Sequence, residues 1–299
     1  MKNKKPYIYI TFLFTIALSF CTQKNRILID GSSTVYPITE GISEEYLKIE
    51  KTTQVTVGIS GTGGGFKRFC TGETHISDAS RLIKAKEAKK CTVNGVEFIE
   101  IAVAYDGLAV VKNKKNKFIS NLTTKELNKI FAGKNFANTW NEARASFGSE
   151  KIKVFSPGQS SGTYDYFVET IVGKKGAIKS TAVFSEDDNV LVTGVAGNEN
   201  AIGFFGLAYY QENKDKLDLV GIINPKTKKS VKPSLTTVKS GAYFPLSRPI
   251  FIYVNKAALK KIFVKKFVTY YLENAAKISK DVGYIPLPDS QYKVSKAKL

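Results

Sequence analysis

The sequence predicts an α/β protein of two lobes joined by crossing strands. Short β-like runs alternate with helical patterns along the chain, and neither a low-complexity linker nor an internal repeat interrupts them. The 299 residues, 43% apolar and 24% charged, suffice for one large or two medium cores, which excludes disorder and fibrous repeats.

The first twenty residues stand outside that fold. Lys2, Lys4 and Lys5 precede an uncharged apolar run from Tyr7 to Phe20, too short to span a bilayer and read as an export signal peptide (1–20). Cys21 follows Leu18, Ser19 and Phe20, a lipobox-like stretch in which Phe20 departs from the usual small residue. The expectation is acylation of Cys21, a tether over 21–26, and a mature chain in the periplasm or at the cell surface, held to the membrane by lipid. With Cys21 so used, Cys70 and Cys91 form an even pair and predict a structural disulfide.

Ile27 to Asp30 reads as a strand, and Val35 to Ile49 as a helix with Ile38, Ile42, Tyr46 and Leu47 on one face. Gln54 to Ile59 is a second strand, Gly65 to Cys70 starts a short helix, and Ile76 to Ala79 is a third strand. Phe98 to Val111 holds two apolar runs divided at Asp106-Gly107, which predicts a hinge turn there. Helices are expected at Thr124 to Phe131 and Gly162 to Val172 around a strand at Val154 to Ser156. Strands at Ala201 to Leu207, Leu217 to Ile223 and Phe251 to Val254 follow, then a long Lys-rich helix from Lys256 to Asn274.

Three strand-to-helix transitions share one chemistry: DGSSTVYPI (Asp30 to Ile38), GISGTGGGFKRF (Gly58 to Phe69) and SPGQSSGTYDYF (Ser156 to Phe167). A helix start leaves about four backbone N–H groups unpaired and carries roughly half a positive charge, so it attracts oxyanions. Glycine lets the backbone approach, and Ser and Thr add short donors. One N-cap needs one hydroxyl; here they come doubled or tripled among glycines, which suits a dehydrated tetrahedral anion held by many donors.

Other chemistries fit less well. The glycine run lacks a Walker ending, since Lys67 follows Phe66 and precedes Arg68, and Gly61-Thr62-Gly63 does not complete GxGxxG. Ser160 and Ser161 lack both a GxSxG elbow and a base, because His75 is the only histidine; with no CxxC either, no metal site or cofactor is expected. The net charge of +19 favours anionic partners, but Lys supplies most of it across the whole chain and Arg stands at only five positions, which argues against nucleic acid.

The stretches IDGSSTVYPIT, VTVGISGTGGGFKRFC, ISDASR, VAYDGLAVV, SSGTYDYF, SEDDNVLV, AIGFFGLAYY and PLSRPIFIYV, from Ile29 to Val254, resemble the PstS family of phosphate-binding proteins of ABC importers, most closely its SphX-like branch. That resemblance implies a type II periplasmic-binding-protein fold: a discontinuous lobe 1 (27–104 and 245–299) and lobe 2 (105–244), closing by hinge motion over inorganic phosphate that a membrane permease then receives. It implies a monomeric binding protein and no enzyme.

It places phosphate at Ser33 and Thr34, at Ser60, Gly61 and Thr62, at Ser80 and Arg81, and at Ser161, Gly162 and Thr163. Some relatives carry Asp in place of Ser80, accepting the ligand's proton, and Arg four residues before the SGT serine, where this chain has Pro157. Arg81 is then the replacement cation, and Asp165 or Asp78 the replacement acceptor. Arg81 pairing with Asp78 or Glu73, and Asp165 as a solvated first-turn acid, stand as the bland alternatives. Arg248 reads as structural although it points toward the cleft, and SEDDNVLV as a helix cap without ligand contact. Sulfate or molybdate as cargo, or a surface phosphatase on the same framework, are the competing functions.

Overall fold

The computed structural model describes residues 25–159, 161–173, 176–185 and 187–299. The leader 1–20, Cys21 with residues 22–24 of the tether, and Ser160 lie outside the described residues.

The chain opens with β1 (Asn25–Gly31), α1 (Tyr36–Ile49), β2 (Thr53–Ile59), α2 (Gly61–Phe69), β3 (Ile76–Ala79), α3 (Ala85–Val93) and β4 (Phe98–Asn113). It continues through β5 (Asn121–Thr123), α4 (Thr124–Phe131), α5 (Trp140–Ala143), β6 (Lys153–Pro157) and α6 (Gly162–Phe167), which runs into a π-helical turn (Val168–Val172). Next come β7 (Val183–Ser185), α7 (Asp188–Gly197), β8 (Ala201–Gly206), α8 (Leu207–Glu212), β9 (Leu217–Leu219), β10 (Gly221–Ile223), β11 (Ser230–Val231) and α9 (Leu235–Lys239). The last segment holds β12 (Ser247–Asn255), α10 (Lys256–Leu259), α11 (Ile262–Asp281), β13 (Ile285–Pro286) and α12 (Asp289–Lys296).

β1 pairs in parallel with β2 and β3, so their C-terminal ends, where the hydroxyl-rich turns begin, lie side by side. The main sheet continues in the order β2-β1-β3-β12-β4-β8-β6-β7, while β11-β10-β5 form a small second sheet. β4 and β12 are the antiparallel crossing pair, from Ser247 opposite Gly107 to Asn255 opposite Phe98, with a one-residue register shift between Ile250 and Phe251. The expected hinge turn at Asp106-Gly107 is therefore absent: both residues continue the strand, Asp106 opposite Arg248. A pair of long strands can flex along its length without a turn.

β4 explains why no linker is visible. Its first half buries Ile101, Val103 and Ala104 in one core with Ile27, Ile38, Phe267 and Tyr271. Its second half buries Leu108 to Val111 in another core with Phe131, Trp140 and Phe204, where Phe167 stacks on Phe204 at 3.8 Å. Leu246 and Ile285, expected in the first lobe, pack into this second core.

The expected face of α1 is buried at Ile38, Ile42 and Tyr46, and Thr123 caps α4 with Glu126 closing the box. Differences fall where backbone chemistry overrides pattern. α2 starts at Gly61, inside the glycine run, because Gly65 must lie against β1: a Cβ there would stand 2.6 Å from Gly31 Cα and 2.8 Å from the Asp30 carbonyl oxygen. The segment Leu217 to Ile223 splits into β9 beside β4 and β10 beside β5, and the last long helix divides into α10 and α11. A disulfide joins Cys70 to Cys91, both fully buried in a small third core with Phe66, Phe69 and Tyr253.

Candidate functional site

A cavity of about 670 Å³ lies between the lobes at the C-terminal ends of β1 and β3. Of the residues expected from sequence, Ser33, Thr34, Gly61, Thr62, Ser80, Arg81 and Asp165 line it. Two of the three turns line it and the third lies behind its wall, and the hydrogen bonds between them say how each is held.

The first turn follows β1. Thr34 N–H donates to Ser32 Oγ (3.2 Å), which orients the loop, while Ser33 Oγ donates across the cleft to Asp165 Oδ2 on α6 (2.9 Å). The second turn opens α2. Thr62 Oγ1 accepts from Ser80 N–H (3.1 Å) and shares a hydrogen bond with Ser80 Oγ (3.1 Å), locking the glycine helix to the loop after β3. Ser60 donates instead to buried Asp30 (2.9 Å), which also accepts from Arg68 Nη1 (2.8 Å), so its hydroxyl braces the turn from outside the cavity wall.

The third turn opens α6. Ser161 Oγ accepts from Thr163 N–H (3.2 Å) as the N-cap, and the Gly162 carbonyl lies 3.5 Å from the Thr34 hydroxyl. Ser161, Gly162 and Thr163 sit behind the wall that Tyr164, Asp165 and Tyr166 complete. Gly162 is the contact point of the lobes: a Cβ there would lie 2.7 Å from Thr34 Cα and 3.0 Å from Thr34 N.

The two guanidiniums of the cavity differ. Arg81 is forked onto Glu87, with Nη1 and Nη2 each 2.8 Å from a carboxylate oxygen. Its partner is thus neither Asp78 nor Glu73; Glu73 bonds Arg68. Burial raises the Glu87 pKa, yet the Arg81 fork and the Lys84 backbone N–H hold the carboxyl below the ordinary range. Arg81 is accordingly half neutralised before any anion arrives.

Arg248 lies on the crossing strand β12, its guanidinium 3.5 Å above the Tyr166 ring centroid, with Nη2 donating to Thr34 Oγ1 (3.2 Å). Its Nε meets Asp106 Oδ2 only at 3.4 Å. Burial pushes Asp106 up to about 6 against the pull of Arg248. These contacts use two of the five guanidinium donors. Sequence reading takes Arg248 as structural at the return crossing although pointing toward the cleft; it does face the cavity and lines it.

Asp78 is buried in β3, outside the cavity lining, and desolvation pushes it up to about 8, with Thr39 pulling it back and Asp30 adding to the rise. Of the two candidate proton acceptors, only Asp165 reaches the cavity. Ser32, Gly63, Lys84, Glu87, Tyr166 and Glu169 also belong to the wall, with Tyr164, Val168 and Gly176, none of them singled out from sequence. Ser32 and Gly63 belong to the turns already recognised, and Glu169 lies one helical turn beyond Asp165. In SEDDNVLV, Asp187 caps α7 by accepting from Asn189 N–H (2.8 Å), as expected. Among the described residues no cluster of His, Cys, Asp and Glu could hold a metal ion, and no helix is long and apolar enough to cross a membrane.

Residues 21–275 match the model of a PBP superfamily domain. Over 273 residues, 90% of this chain and 80% of the relative, the sequence is 49% identical to Protein SphX of Synechococcus elongatus. It is 42% identical over 272 residues to the phosphate-binding protein PstS of Staphylococcus saprophyticus, covering 90% of this chain and 83% of that one. A crystal structure of a possible phosphate binding protein from Planctomyces limnophilus superposes with a TM-score of 0.89 at 41% identity, covering 92% of this chain and 97% of that one.

Proposed function

The chain belongs to the PBP superfamily, in its PstS and SphX family of phosphate-binding proteins, and on that premise we propose that it captures inorganic phosphate outside the cytoplasmic membrane and hands it to an ABC importer. One observation carries the reading: the hydroxyl- and glycine-rich turns after β1 and β2 line an interlobe cavity that α6, the helix opened by the third such turn, closes with Tyr164, Asp165 and Tyr166. No bond is made or broken. Bound anion favours the closed form because only closure brings donors from both lobes onto the same oxygens.

Ser33, Thr34, Gly61, Thr62 and Ser80 supply donors from the first lobe, and the Ser161–Gly162–Thr163 helix start, braced behind its wall, supplies the second-lobe side. Ser60 acts by bracing the glycine turn. Arg248 carries the larger share of positive charge and Arg81 the smaller, since Glu87 already occupies its fork. Asp165 accepts a hydrogen bond from the hydroxyl of hydrogen phosphate, a role supported by its place in the cavity wall beside Ser33. Lobe 1 comprises 27–104 and 245–299 and lobe 2 105–244, the protein acts as a monomer without catalysis, and lipid on Cys21 holds it at the membrane.

Calorimetric titration with phosphate and with sulfate from pH 5 to 8 tests this. Phosphate is expected to bind tighter throughout, and Ser161→Ala or Thr62→Val to weaken it by about 1–3 kcal/mol. Tighter sulfate, or unchanged affinity in both variants, overturns the reading.

A further inference from the structure

The end of the first lobe opposite the cavity has its own chemistry. β1 begins there, Asn25 N–H donating to the Thr52 carbonyl (3.1 Å), and β1 runs for seven residues, about 20 Å, before reaching the hydroxyl-rich turn. Thr52 in turn donates its N–H to Glu50 (3.0 Å), which lines a groove of about 470 Å³ between the end of α1 and the start of α11. Its two aliphatic rims, Ile49 and Ile262, are 69% and 68% exposed.

Cations surround these aliphatics. Lys265 and Lys266 line the groove, Lys51 follows α1 directly, and Lys261 stands one residue before α11, all exposed. Arg26, also exposed, bonds Gln54 on the neighbouring strand (3.2 Å). Lys261 Nζ lies 3.3 Å from His75 Nε2, and the Nδ1 of the same ring accepts from Leu28 N–H in β1, which places the start of α11 against β1. Glu50 and Glu273 are the acidic members of the lining, and Glu273 is already paired with Lys296.

Chain length fixes what this face meets. The apolar run ends at Phe20 and the acylation candidate is Cys21, four residues before Asn25. Four residues span at most about 14 Å. With lipid on Cys21 holding the chain, the membrane element is too close to Asn25 for the domain to stand clear of the bilayer. The face around Asn25 is the one brought against it.

We propose that this face, with Ile49 and Ile262 ringed by Lys51, Lys261, Lys265 and Lys266, docks on an anionic membrane surface, the lysines on lipid headgroups and the two isoleucines at the headgroup boundary. The proposal rests on the membrane attachment proposed above. It leaves the phosphate cavity some 20 Å from the bilayer, at the far end of β1.

The test is an amine-acetylation footprint of the full chain reconstituted in vesicles of phosphatidylcholine with one-fifth phosphatidylglycerol, and in phosphatidylcholine alone, with phosphate titrated on the same samples. Lys51, Lys261, Lys265 and Lys266 are expected to react at least threefold more slowly in the anionic vesicles, while exposed Lys214, Lys228 and Lys229 of the second lobe react alike in both. A lysine near such a surface contributes about fivefold in affinity, so Lys265→Glu/Lys266→Glu restores full reactivity at Lys51 and Lys261 with phosphate affinity unchanged. Equal protection of both lysine sets would reduce the effect to net charge and overturn the proposal. Protection that persists in the double variant, or appears only when a membrane protein is co-reconstituted, overturns it as well. Loss of phosphate binding in the wild type would instead strike the proposed function and leave the footprint standing.

Discussion

Gly162→Ala is expected to weaken phosphate binding while leaving the unliganded protein as stable as before. The added methyl would sit 2.7 Å from Thr34 Cα, 3.0 Å from Thr34 N and 3.2 Å from Ser33 C. All three are backbone atoms at the root of the first anion turn, so no rotamer change relieves the overlap. Ordinary carbon contacts lie near 3.5–4.0 Å, so the lobes must part by roughly 1 Å at this point. That separation breaks the Ser33–Asp165 bond (2.9 Å) and the Thr34–Gly162 contact (3.5 Å). Overpacking of this kind costs about 1–3 kcal/mol, and in the proposed mechanism, where phosphate holds the lobes in contact, it converts to about 5- to 150-fold in affinity, tenfold per 1.4 kcal/mol. Alanine also favours helix over glycine by up to about 1 kcal/mol, so α6 itself is not weakened. Calorimetry with phosphate, thermal melts with and without it, and small-angle scattering form the assay. Affinity within twofold of wild type, or a fall in Tm equal with and without phosphate, would refute the reasoning.

The two guanidiniums should separate in the same titration: Arg248→Gln is expected to cost about 1.5–3 kcal/mol of phosphate affinity, the value of hydrogen bonds to a charged group, and Arg81→Gln clearly less. An equal loss would mean that the Glu87 fork does not neutralise Arg81. Asp78, with its folded pKa raised to about 8, stabilises the fold fully only below its unfolded value near 4 and loses that contribution as pH rises toward 8. Asp78→Asn should therefore raise the Tm at pH 8, by on the order of 1–3 kcal/mol of stability, and do little at pH 4; melts across that window that show the same shift at both ends would contradict the assignment. Replacing Cys70 and Cys91 by Ala, which opens a loop with a sequence separation of 21, should lower stability by about 3 kcal/mol in denaturant titrations, with phosphate affinity in the folded state retained.

Much of the site could be read from residues because backbone donors at helix starts leave a local signature. Ser33-Thr34, Gly61-Thr62 and Ser161-Gly162-Thr163 each announce a strand-to-helix turn with more hydroxyls than a cap needs; the first two line the interlobe cavity, and the third touches the first through Gly162 and Thr34 without lining it. The bounds of α4 were equally legible, expected and found at Thr124 to Phe131. Asp106-Gly107 misled for the same local reason. A Gly beside an acid looks like a turn, yet pairing with Ser247 and Arg248, far along the chain, keeps it in strand.

What the sequence determined by itself was therefore the set of turns and the kind of ligand they suit, because those follow from which groups sit within a few residues of a helix start. Tertiary structure alone decided which partners the polar side chains of the site take. Arg81 gives up its fork to Glu87, Ser60 turns to Asp30, and Arg248 donates to Thr34. Long side chains find partners through space over several ångströms, and no local pattern records which partner wins.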